Sequence, residues 1–369
     1  MTRELTSLVE KINEDLQNLD CMDPMQIMNS RMDQQDQAVR KLIENFLSKV
    51  QSNSVNRILD EYFGFGPLKS LIENENVSEI IINGQCNIFF ESFGRIERFH
   101  DCFLSSLTFR NFIQRLGKWT NTQVSMDQTF ADGFFEDFRV HIAIPPATQK
   151  DVSVCFRRHP KCPWTLERLK ASKWASADAI SIVQKIILER RNFLVVGATG
   201  SGKTSVLNAC LGEIEECERA ILIEDTSELK IPNDISTKLL TRHDSQKLLK
   251  DFDQAELLKQ ALRMRPDRLV MGEIRGGEAK DLLMAFATGH SGCMGTMHAD
   301  SARQALLRLE MLVQLGASQW NINAIRTLIL LSLSTIIVVK KNAQGERQLE
   351  GIYKIASLEE SGFLVEKQI

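Results

Sequence analysis

The second half of the chain alternates between short apolar runs of strand length and segments with helical spacing. The apolar runs are Phe193–Val196, Ala220–Ile223, Leu269–Met271, Cys293–Met297 and Ile336–Val339. Largely apolar runs of this length are typical of parallel strands that are buried on both faces. A helix is predicted over Ser176–Arg191, before the first run. The alternation therefore predicts a doubly wound α/β sheet.

The first half shows a different pattern, in which apolar and polar positions alternate. In Phe138–Ile144, and again in Val152–Phe156, every second residue is apolar. A period of two places the apolar side chains on one face of a strand and the intervening residues, Arg139 and Arg157 among them, on the other. With a helical stretch over Phe109–Leu116, the pattern predicts a small α+β domain on a mostly antiparallel sheet.

The N-terminal segment is predicted to be helical. One helical face carries Leu5, Leu8, Val9, Ile12 and Leu16, and a second apolar stripe covers 38–50 after a polar stretch. The pattern leaves open whether these helices are a solvated appendage or an arm that docks on a partner. We expect four regions: a helical extension over 1–55, the α+β domain over 56–160, a linker over 161–175 and the α/β domain over 176–369.

Composition narrows the function classes. The chain has 369 residues, of which 43% are hydrophobic, enough for two sizeable cores. A net charge of −3 and a pI of 6.1 argue against a globally basic nucleic-acid-binding protein. The eight cysteines form no C-x-x-C pair, so we expect free thiols and no zinc site.

Membrane segments are not expected from the sequence. No signal-peptide pattern follows Met1, and the longest apolar run, Leu328–Val339, is too short to span a bilayer. We therefore expect a cytoplasmic protein that associates with a membrane only through partners.

A glycine-rich segment follows the first apolar run. It reads Gly197-Ala198-Thr199-Gly200-Ser201-Gly202-Lys203-Thr204, and a helical pattern begins at Ser205. Strand, glycine loop, Lys-Thr and helix form the P-loop arrangement, in which glycines let backbone N–H groups turn towards phosphate oxygens. Residues 197–205 are therefore predicted to bind a nucleotide, with Lys203 on the β- and γ-phosphates and Thr204 on Mg²⁺.

Two acidic segments follow the next two strands. Glu224 and Asp225 come after the second run, and Glu273 after the third. Ligands bind at the carboxyl ends of parallel strands in open α/β sheets. An acid after an apolar strand is also the Walker-B arrangement, which holds Mg²⁺ directly or through water, and this predicts a metal role for Glu273. A helix N-cap or a solvated turn is the open alternative for either acid.

A third cluster, Thr288–Ser301, contains two histidines. His298 ends a predicted strand on the same edge as Glu224 and Glu273, where it could sense the γ-phosphate or position the attacking water. His290 follows Gly289 near a predicted helix end, and a capping role is an equal alternative there.

Together these segments resemble the bacterial and archaeal type II/type IV secretion and pilus-assembly ATPases. The matching blocks are the P-loop, the acid box Ile221–Glu228, the Walker-B block Leu269–Ala279, the histidine box Thr288–Ser301 and the segments Ala261–Arg268 and Phe65–Gly84. The resemblance covers about residues 60–355 and favours the tight-adherence (Flp) pilus branch, with the type IV secretion branch close behind. The missing C-x-x-C pair separates the chain from zinc-bearing relatives.

The resemblance implies a RecA-like P-loop domain preceded by a small PAS-like α+β domain, and a homo-hexamer that binds ATP and Mg²⁺. It further implies that Glu224 polarises the attacking water, that Glu273 serves Mg²⁺ and that Arg139 and Arg157 reach the phosphates. Surface arginines on a sheet are the alternative for the last pair. The implied partner is an inner-membrane platform protein of a pilus or secretion machine.

We therefore interpret the chain as a cytoplasmic ATPase that powers pilus assembly or secretion at the inner membrane. A ring-shaped nucleic-acid motor is one alternative, although the acidic pI and the histidine box argue against it. A nucleotide-bound scaffold with little turnover is a second, which the intact Lys203, Glu224 and Glu273 disfavour. A GTPase is less favoured because no Asn-Lys-x-Asp motif occurs.

Overall fold

The chain forms two compact units, Met1–Lys161 and Cys162–Ile369, in a computed structural model. The described residues are 2–19, 52–120, 122, 124–159, 163–242, 250–342, 344–360 and 362–369. The second predicted N-terminal stripe, 38–50, and the polar stretch before it lie outside them. No helix among the described residues is long and apolar enough to cross a membrane.

The first unit combines short helices with one antiparallel sheet. Its helices are α1 Thr2–Leu19, α2 Ser52–Phe63, a 3₁₀ turn Gly66–Leu68, α3 Lys69–Glu73 and α4 Ser106–Trp119. Its strands are β1 Val77–Asn83, β2 Ile88–Ser92, β3 Arg95–Phe99, β4 Phe130–Phe135, β5 Phe138–Ala143 and β6 Ser153–Arg158. The sheet order is β3-β2-β1-β6-β5-β4, and all of these pairings are antiparallel.

One face of this sheet is buried, as the alternating pattern predicts. Phe138, Val140 and Phe156 are at most 1% exposed and pack with α4. Helix α1 is not a solvated appendage over its described apolar residues, because Val9 and Ile12 are buried against Ile58 of α2.

Strand β4 was not predicted from the sequence, because Asp132 and Gly133 interrupt its pattern. The structure shows why a glycine stands there: a Cβ at Gly133 would lie 2.6 Å from the Cβ of Thr120. The missing side chain lets the turn after α4 approach the strand.

The second unit contains a mixed sheet covered by helices. Its helices are α5 Leu166–Ala171, α6 Ala177–Leu188, α7 Lys203–Leu211, α8 Gln254–Ala261, α9 Glu278–Ala287, α10 Ala302–Gly316 and α11 Ile322–Ser332. Its strands are β7 Phe193–Gly197, β8 Ala220–Glu224, β9 Thr237–Leu240, β10 Arg268–Met271, β11 Met294–His298, β12 Thr335–Lys341, β13 Arg347–Glu359 and β14 Gly362–Lys367.

The sheet order is β14-β13-β12-β7-β11-β10-β8-β9, in which β12 to β9 run parallel and β13 and β14 are antiparallel additions. Leu194, Val196 and Ile223 face one core, built with α8 to α11. Val195 and Leu222 face the other, built with α5 to α7. Helices therefore cover both faces, and the doubly wound prediction is confirmed.

The segment 161–175, expected to be a linker, contains helix α5. Thr165 caps this helix by accepting a hydrogen bond from the N–H of Arg168. Leu166, Leu169 and Trp174 are at most 4% exposed and belong to a core of the second unit. Pro160 and Pro163 indicate a linker in the sequence, but burial of these three side chains in the core stabilises a helix after them.

Candidate functional site

The predicted motifs converge on one edge of the second sheet. The carboxyl ends of β7, β8, β10 and β11 meet there, because these strands are parallel neighbours. We call this the P-loop edge. The P-loop follows β7, Glu224 ends β8, Glu273 follows β10 and His298 ends β11. A single edge thus carries a glycine loop, two acids and a histidine.

The glycines of the P-loop are required by its backbone. Gly200 and Gly202 have φ angles of +72° and +93°, which favour residues without a Cβ. A Cβ at Gly197 would collide with the carbonyl of Val339 and come within 2.5 Å of the Ser201 hydroxyl. The loop therefore keeps the tight curvature that lets backbone N–H groups face one point.

Lys203 begins helix α7 and lies against the loop. It is 7% exposed, and its Nζ is 3.0 Å from the carbonyl oxygen of Ala198 and 3.2 Å from Nδ1 of His298. The buried hydroxyl of Ser201 has no hydrogen-bond partner among the residues that the structure describes. A cationic Nζ, an unused hydroxyl and a helix N-terminus are the donors that a phosphate group needs.

His298 joins Lys203 to Glu273. Its Nδ1 faces Lys203, and its Nε2 is 3.1 Å from Oε1 of Glu273. Because an ammonium can only donate, Nδ1 accepts and Nε2 carries the proton that is donated to Glu273. Burial and the positive charge of Lys203 lower the pKa of His298, which favours this neutral form. The imidazole thus links the phosphate-binding lysine to the Walker-B acid.

Arg275 continues this chain of contacts. Its Nη2 donates to Oε2 of Glu273 at 2.7 Å, and its Nη1 is 3.4 Å from Oδ2 of Asp225. Burial works to raise the pKa of Glu273, but Arg275, His298 and Lys203 outweigh it and the pKa is lowered. Glu273 is therefore an ionised carboxylate, 22% exposed, within the P-loop edge.

Glu224, at the end of β8, is a buried carboxylate with partners inside the fold. It is 3% exposed, and its Oε1 accepts the N–H groups of Glu228 at 3.0 Å and Leu229 at 2.9 Å. Its Oε2 lies 3.2 Å from Nζ of Lys238 as an ion pair without hydrogen-bond alignment. Burial raises the pKa of Glu224, opposed by Lys238 and the two N–H groups. Both oxygens are thus engaged inside the fold.

A magnesium site needs few protein ligands beside a bound triphosphate, because Mg²⁺ keeps waters and takes phosphate oxygens. Thr204 and Glu273 supply a hydroxyl and an ionised carboxylate, the hard oxygen donors that Mg²⁺ prefers. Within the described ranges, no cluster of three or more His, Cys, Asp or Glu suggests a different metal. The donor set therefore fits Mg²⁺ held together with a nucleotide.

Several residues at this edge were missed from the sequence. Arg275 lies inside the Walker-B block, so its position was a usable signal. Lys238 and Asn208 had none, because each acts through contacts with the segment 224–230. Arg347 of β13 also reaches the P-loop: its Nε donates to the carbonyl of Gly200 at 3.0 Å.

Arg139 and Arg157 lie side by side in the first unit. They are register partners on β5 and β6, on the face opposite the buried Phe138 and Phe156. Arg139 is 3.5 Å from Asp132, and Arg157 is 3.9 Å from Glu79, both long contacts for ion pairs. Like charges directly across a strand pair are unfavourable, but Glu79 of β1 is the other register partner of Arg157, so each arginine also has an acidic neighbour.

His290 takes the capping alternative. Its Nδ1 is 3.1 Å from the carbonyl oxygen of Ala285, near the end of α9, and it belongs to the helix terminus rather than to the P-loop edge.

The sequence is similar to proteins of secretion and conjugal transfer systems. A putative conjugal transfer protein of Mycobacterium tuberculosis is 29% identical over 299 residues, which cover 79% of this chain and 84% of that protein. The type IV secretion system protein VirB11 of Bartonella quintana is 26% identical over 344 residues, covering 83% and 95%. The X-ray structure of the Legionella pneumophila ATPase DotB superposes with a TM-score of 0.56 at 21% identity, covering 74% and 75%.

The likeness to DotB concerns the fold, and it supports the RecA-like architecture predicted for the second unit. Residues 61–350 match the family described as type II/IV secretion system protein, which confirms the superfamily predicted from the motifs. Because this match spans most of the sequence, the chain belongs to the type II/IV secretion system protein family.

Proposed function

We propose that this protein hydrolyses ATP with Mg²⁺ at the P-loop edge and powers a secretion or pilus machine. The observation that carries the proposal is the continuous contact from Lys203 through His298 to Glu273. It connects a phosphate-binding charge to a metal-binding acid across the ends of three neighbouring strands, β7, β11 and β10. Phosphoryl transfer to water depends mainly on such positioning and electrostatics.

Residues 197–205 would hold the phosphates through backbone N–H groups, Lys203 and the hydroxyl of Ser201. Thr204 and Glu273 would hold Mg²⁺ directly or through water. A Mg²⁺ ion held by these two residues would supply positive charge that offsets the negative charge of the phosphates. His298 would hold Lys203 and Glu273 in fixed positions relative to each other, because its Nδ1 contacts Lys203 and its Nε2 contacts Glu273.

The acid box would supply the carboxylate that orients the attacking water. The sequence assigns this task to Glu224, and that assignment stays a prediction. The contacts favour Glu228 instead, because Glu224 is buried and engaged whereas Glu228 is partly exposed. Glu228 also lies in the field of Arg275: its charge contributes to the raised pKa of that arginine, after Glu273 and Asp225.

We also propose that Arg139 and Arg157 contact the phosphates of bound ATP. Their adjacency on β5 and β6, and the long distances to their acidic neighbours, leave both guanidinium groups able to take an anion. Arginines that act on charge in the transition state would affect kcat more than KM.

Assembly into a homo-hexamer at an inner-membrane platform protein is part of the proposal. An exposed apolar stripe on α10 supports assembly, since Leu307, Met311 and Leu315 are 48%, 69% and 73% exposed. The names of the relatives, conjugal transfer protein and type IV secretion system protein, favour a type IV secretion role. The tight-adherence branch favoured by the sequence stays a prediction, as does a cytoplasmic location at the inner membrane.

The test is ATP turnover by the purified protein and by Lys203→Ala. We expect Mg²⁺-dependent turnover that falls roughly 10²–10³-fold in the mutant, the usual loss when one transition-state donor is removed. Lys185→Ala, on the exposed surface of α6, serves as the control and should match the wild type. Near-normal turnover by Lys203→Ala would contradict the assignment of the P-loop, and turnover seen only with DNA would favour a nucleic-acid motor.

A further inference from the structure

The segment 225–230, which we call the acid-box turn, is held through residues 228–230 by two side chains. The carboxylate of Glu224 accepts the N–H groups of Glu228 and Leu229. Asn208 of α7 accepts the N–H of Lys230 at 2.7 Å and donates to the carbonyl of Glu228 at 3.2 Å. The turn is thus fixed to the helix that begins with Lys203.

Lys238 of β9 is a third anchor for this turn. Its Nζ donates to the hydroxyl of Ser227 at 2.8 Å and to the carbonyl of Leu229, and it pairs with Glu224 at 3.2 Å. The Lys238 side chain is only 14% exposed. One ammonium therefore donates hydrogen bonds to a hydroxyl and a carbonyl of the turn and is the counter-ion of the buried carboxylate that precedes it.

The strand register explains how Lys238 reaches the turn. Lys238 is the register partner of Leu222, and β8 and β9 run parallel. Side chains two residues apart lie on the same face of a strand, so Glu224 shares the face of Leu222 and of Lys238. The pair is a consequence of register, and its members are 14 positions apart in the sequence.

We propose that Lys238 and Glu224 are positioning residues that hold the acid-box turn in the conformation that presents Asp225 and Glu228 at the P-loop edge. Neither of them contacts the nucleotide or the attacking water in this account. A buried ion pair is tolerated when both partners are also hydrogen bonded, as they are here. The proposal rests on the proposed ATP hydrolysis and gives Glu224 a different task from the one predicted from sequence.

The conformation of the acid-box turn fixes the positions of its acidic side chains at the P-loop edge. Asp225 accepts from Gln254 at 2.9 Å and from Thr241 at 3.2 Å, and it faces Arg275. Through Arg275 the turn connects to Glu273, His298 and Lys203. A shift of the turn would therefore misplace the acids relative to the bound phosphates without removing any nucleotide-binding group.

The first experiment compares Lys238→Met with Lys238→Arg. Lys238→Met leaves Glu224 buried without a counter-ion, so kcat for ATP should fall at least about tenfold while KM stays within about threefold. Lys238→Arg keeps the charge and should stay within about threefold of the wild type. Lys259→Met, an exposed lysine on α8, is the control and should be unchanged. A wild-type kcat in Lys238→Met would overturn the proposal.

The second experiment adds Glu224→Gln. Glutamine keeps an oxygen for the two N–H groups, so kcat should stay within about tenfold of the wild type. The double mutant Lys238→Met/Glu224→Gln should be at least about threefold more active than Lys238→Met, because the unpaired charge is gone. A loss of roughly 10²-fold in Glu224→Gln, the size expected for a general base, would instead make Glu224 catalytic.

Amide hydrogen exchange gives a readout that needs no turnover. The N–H groups of Glu228 and Leu229 should exchange faster in Lys238→Met than in the wild type or in Lys259→Met, in the absence of nucleotide. Unchanged protection of these two amides would overturn the positioning role. If the wild-type protein does not hydrolyse ATP, the proposed function fails, and the exchange experiment still decides whether the pair holds the turn.

Discussion

The acid box and the Walker-B segment look alike in the sequence and differ in the structure. Glu224 and Glu273 each follow an apolar run in the sequence, and β8 and β10 are neighbours in the sheet. Glu224 is the last residue of its strand, so the alternation of side chains places it on the same face as Leu222. There it is buried and pairs with Lys238. Glu273 lies two residues past its strand and turns to His298 and Arg275. An acid after a strand is therefore an ambiguous signal, and its distance from the strand end decides its surroundings.

The direction of the pKa shift follows this difference. Burial dominates at Glu224, whose pKa is raised, whereas cationic neighbours outweigh burial at Glu273, whose pKa is lowered. The two directions follow from the surroundings, since burial disfavours a charged carboxylate and nearby cations favour it.

Glu228→Gln should show the largest effect on the acid-box side. Removing the charge of the acid that is presented at the P-loop edge should lower kcat roughly 10²-fold, the low end of the general-base range. Turnover under saturating Mg²⁺-ATP measures it, with the exposed Glu216→Gln as a control that should be unchanged. A wild-type kcat in Glu228→Gln would show that another residue orients the attacking water, and Glu224 would be the next residue to test.

Arg139→Ala and Arg157→Ala should each lower kcat about tenfold or more, with a smaller change in ATP affinity. The loss of one hydrogen bond to a charged group is large enough to explain a tenfold decrease in kcat. Steady-state kinetics and equilibrium binding of a nucleotide analogue separate the two effects, and the exposed Arg95→Ala on β3 is the control. If both mutants keep the wild-type kcat, these arginines belong to the sheet surface and not to the reaction.

His298→Gln should lower kcat about three- to tenfold at pH 7.5, because glutamine can replace only part of the contact between Lys203 and Glu273. The pH profile sharpens the test. The pKa of His298 is lowered from its ordinary value by burial and Lys203, so protonation, which removes the acceptor at Nδ1, occurs only as the pH falls below about 6.5. The wild type should lose activity there, and His298→Gln should lack that acid limb. If the mutant loses activity at low pH as the wild type does, the loss is due to protonation of another group.

Asn208→Ala should have the smallest effect. It removes two hydrogen bonds to the acid-box turn and leaves the N–H of Lys230 to solvent, which should lower the free energy of unfolding by about 1 kcal/mol. Thermal or denaturant unfolding measures it. A loss of kcat as large as that of Glu228→Gln would show that Asn208 does more than anchor the turn.

The sequence predicts those strands whose burial produces a clear pattern. Burial of both faces gives a continuous apolar run, and burial of one face gives alternation of apolar and polar residues. Strands β7, β8, β10 and β11 are apolar because helices cover them on both sides, so their runs were visible. Helix α5 was missed because Pro160 and Pro163 suggested a linker. Strand β9, Thr237–Leu240, was missed because it is a partly exposed edge strand whose first two residues, Thr237 and Lys238, are polar.

The candidate site divides in the same way. Lys203, Thr204, Glu273 and His298 could be predicted because each lies in a motif with fixed spacing. Lys238 could not, because its place beside Glu224 follows from the register of two strands that the sequence does not specify. The predicted free thiols hold for the six cysteines within the described residues, whereas Cys21 and Cys162 lie outside them.

The most direct measurement is a Mg²⁺ titration of ATP turnover for the wild type, Glu224→Gln and Glu273→Gln side by side. We expect Glu273→Gln to need roughly 10- to 100-fold more Mg²⁺ for half-maximal turnover, the loss typical of a disturbed metal site. Glu224→Gln should keep the wild-type requirement, with kcat within about tenfold. The opposite outcome, a shifted Mg²⁺ requirement in Glu224→Gln and an unchanged one in Glu273→Gln, would contradict the division of tasks between the two acids.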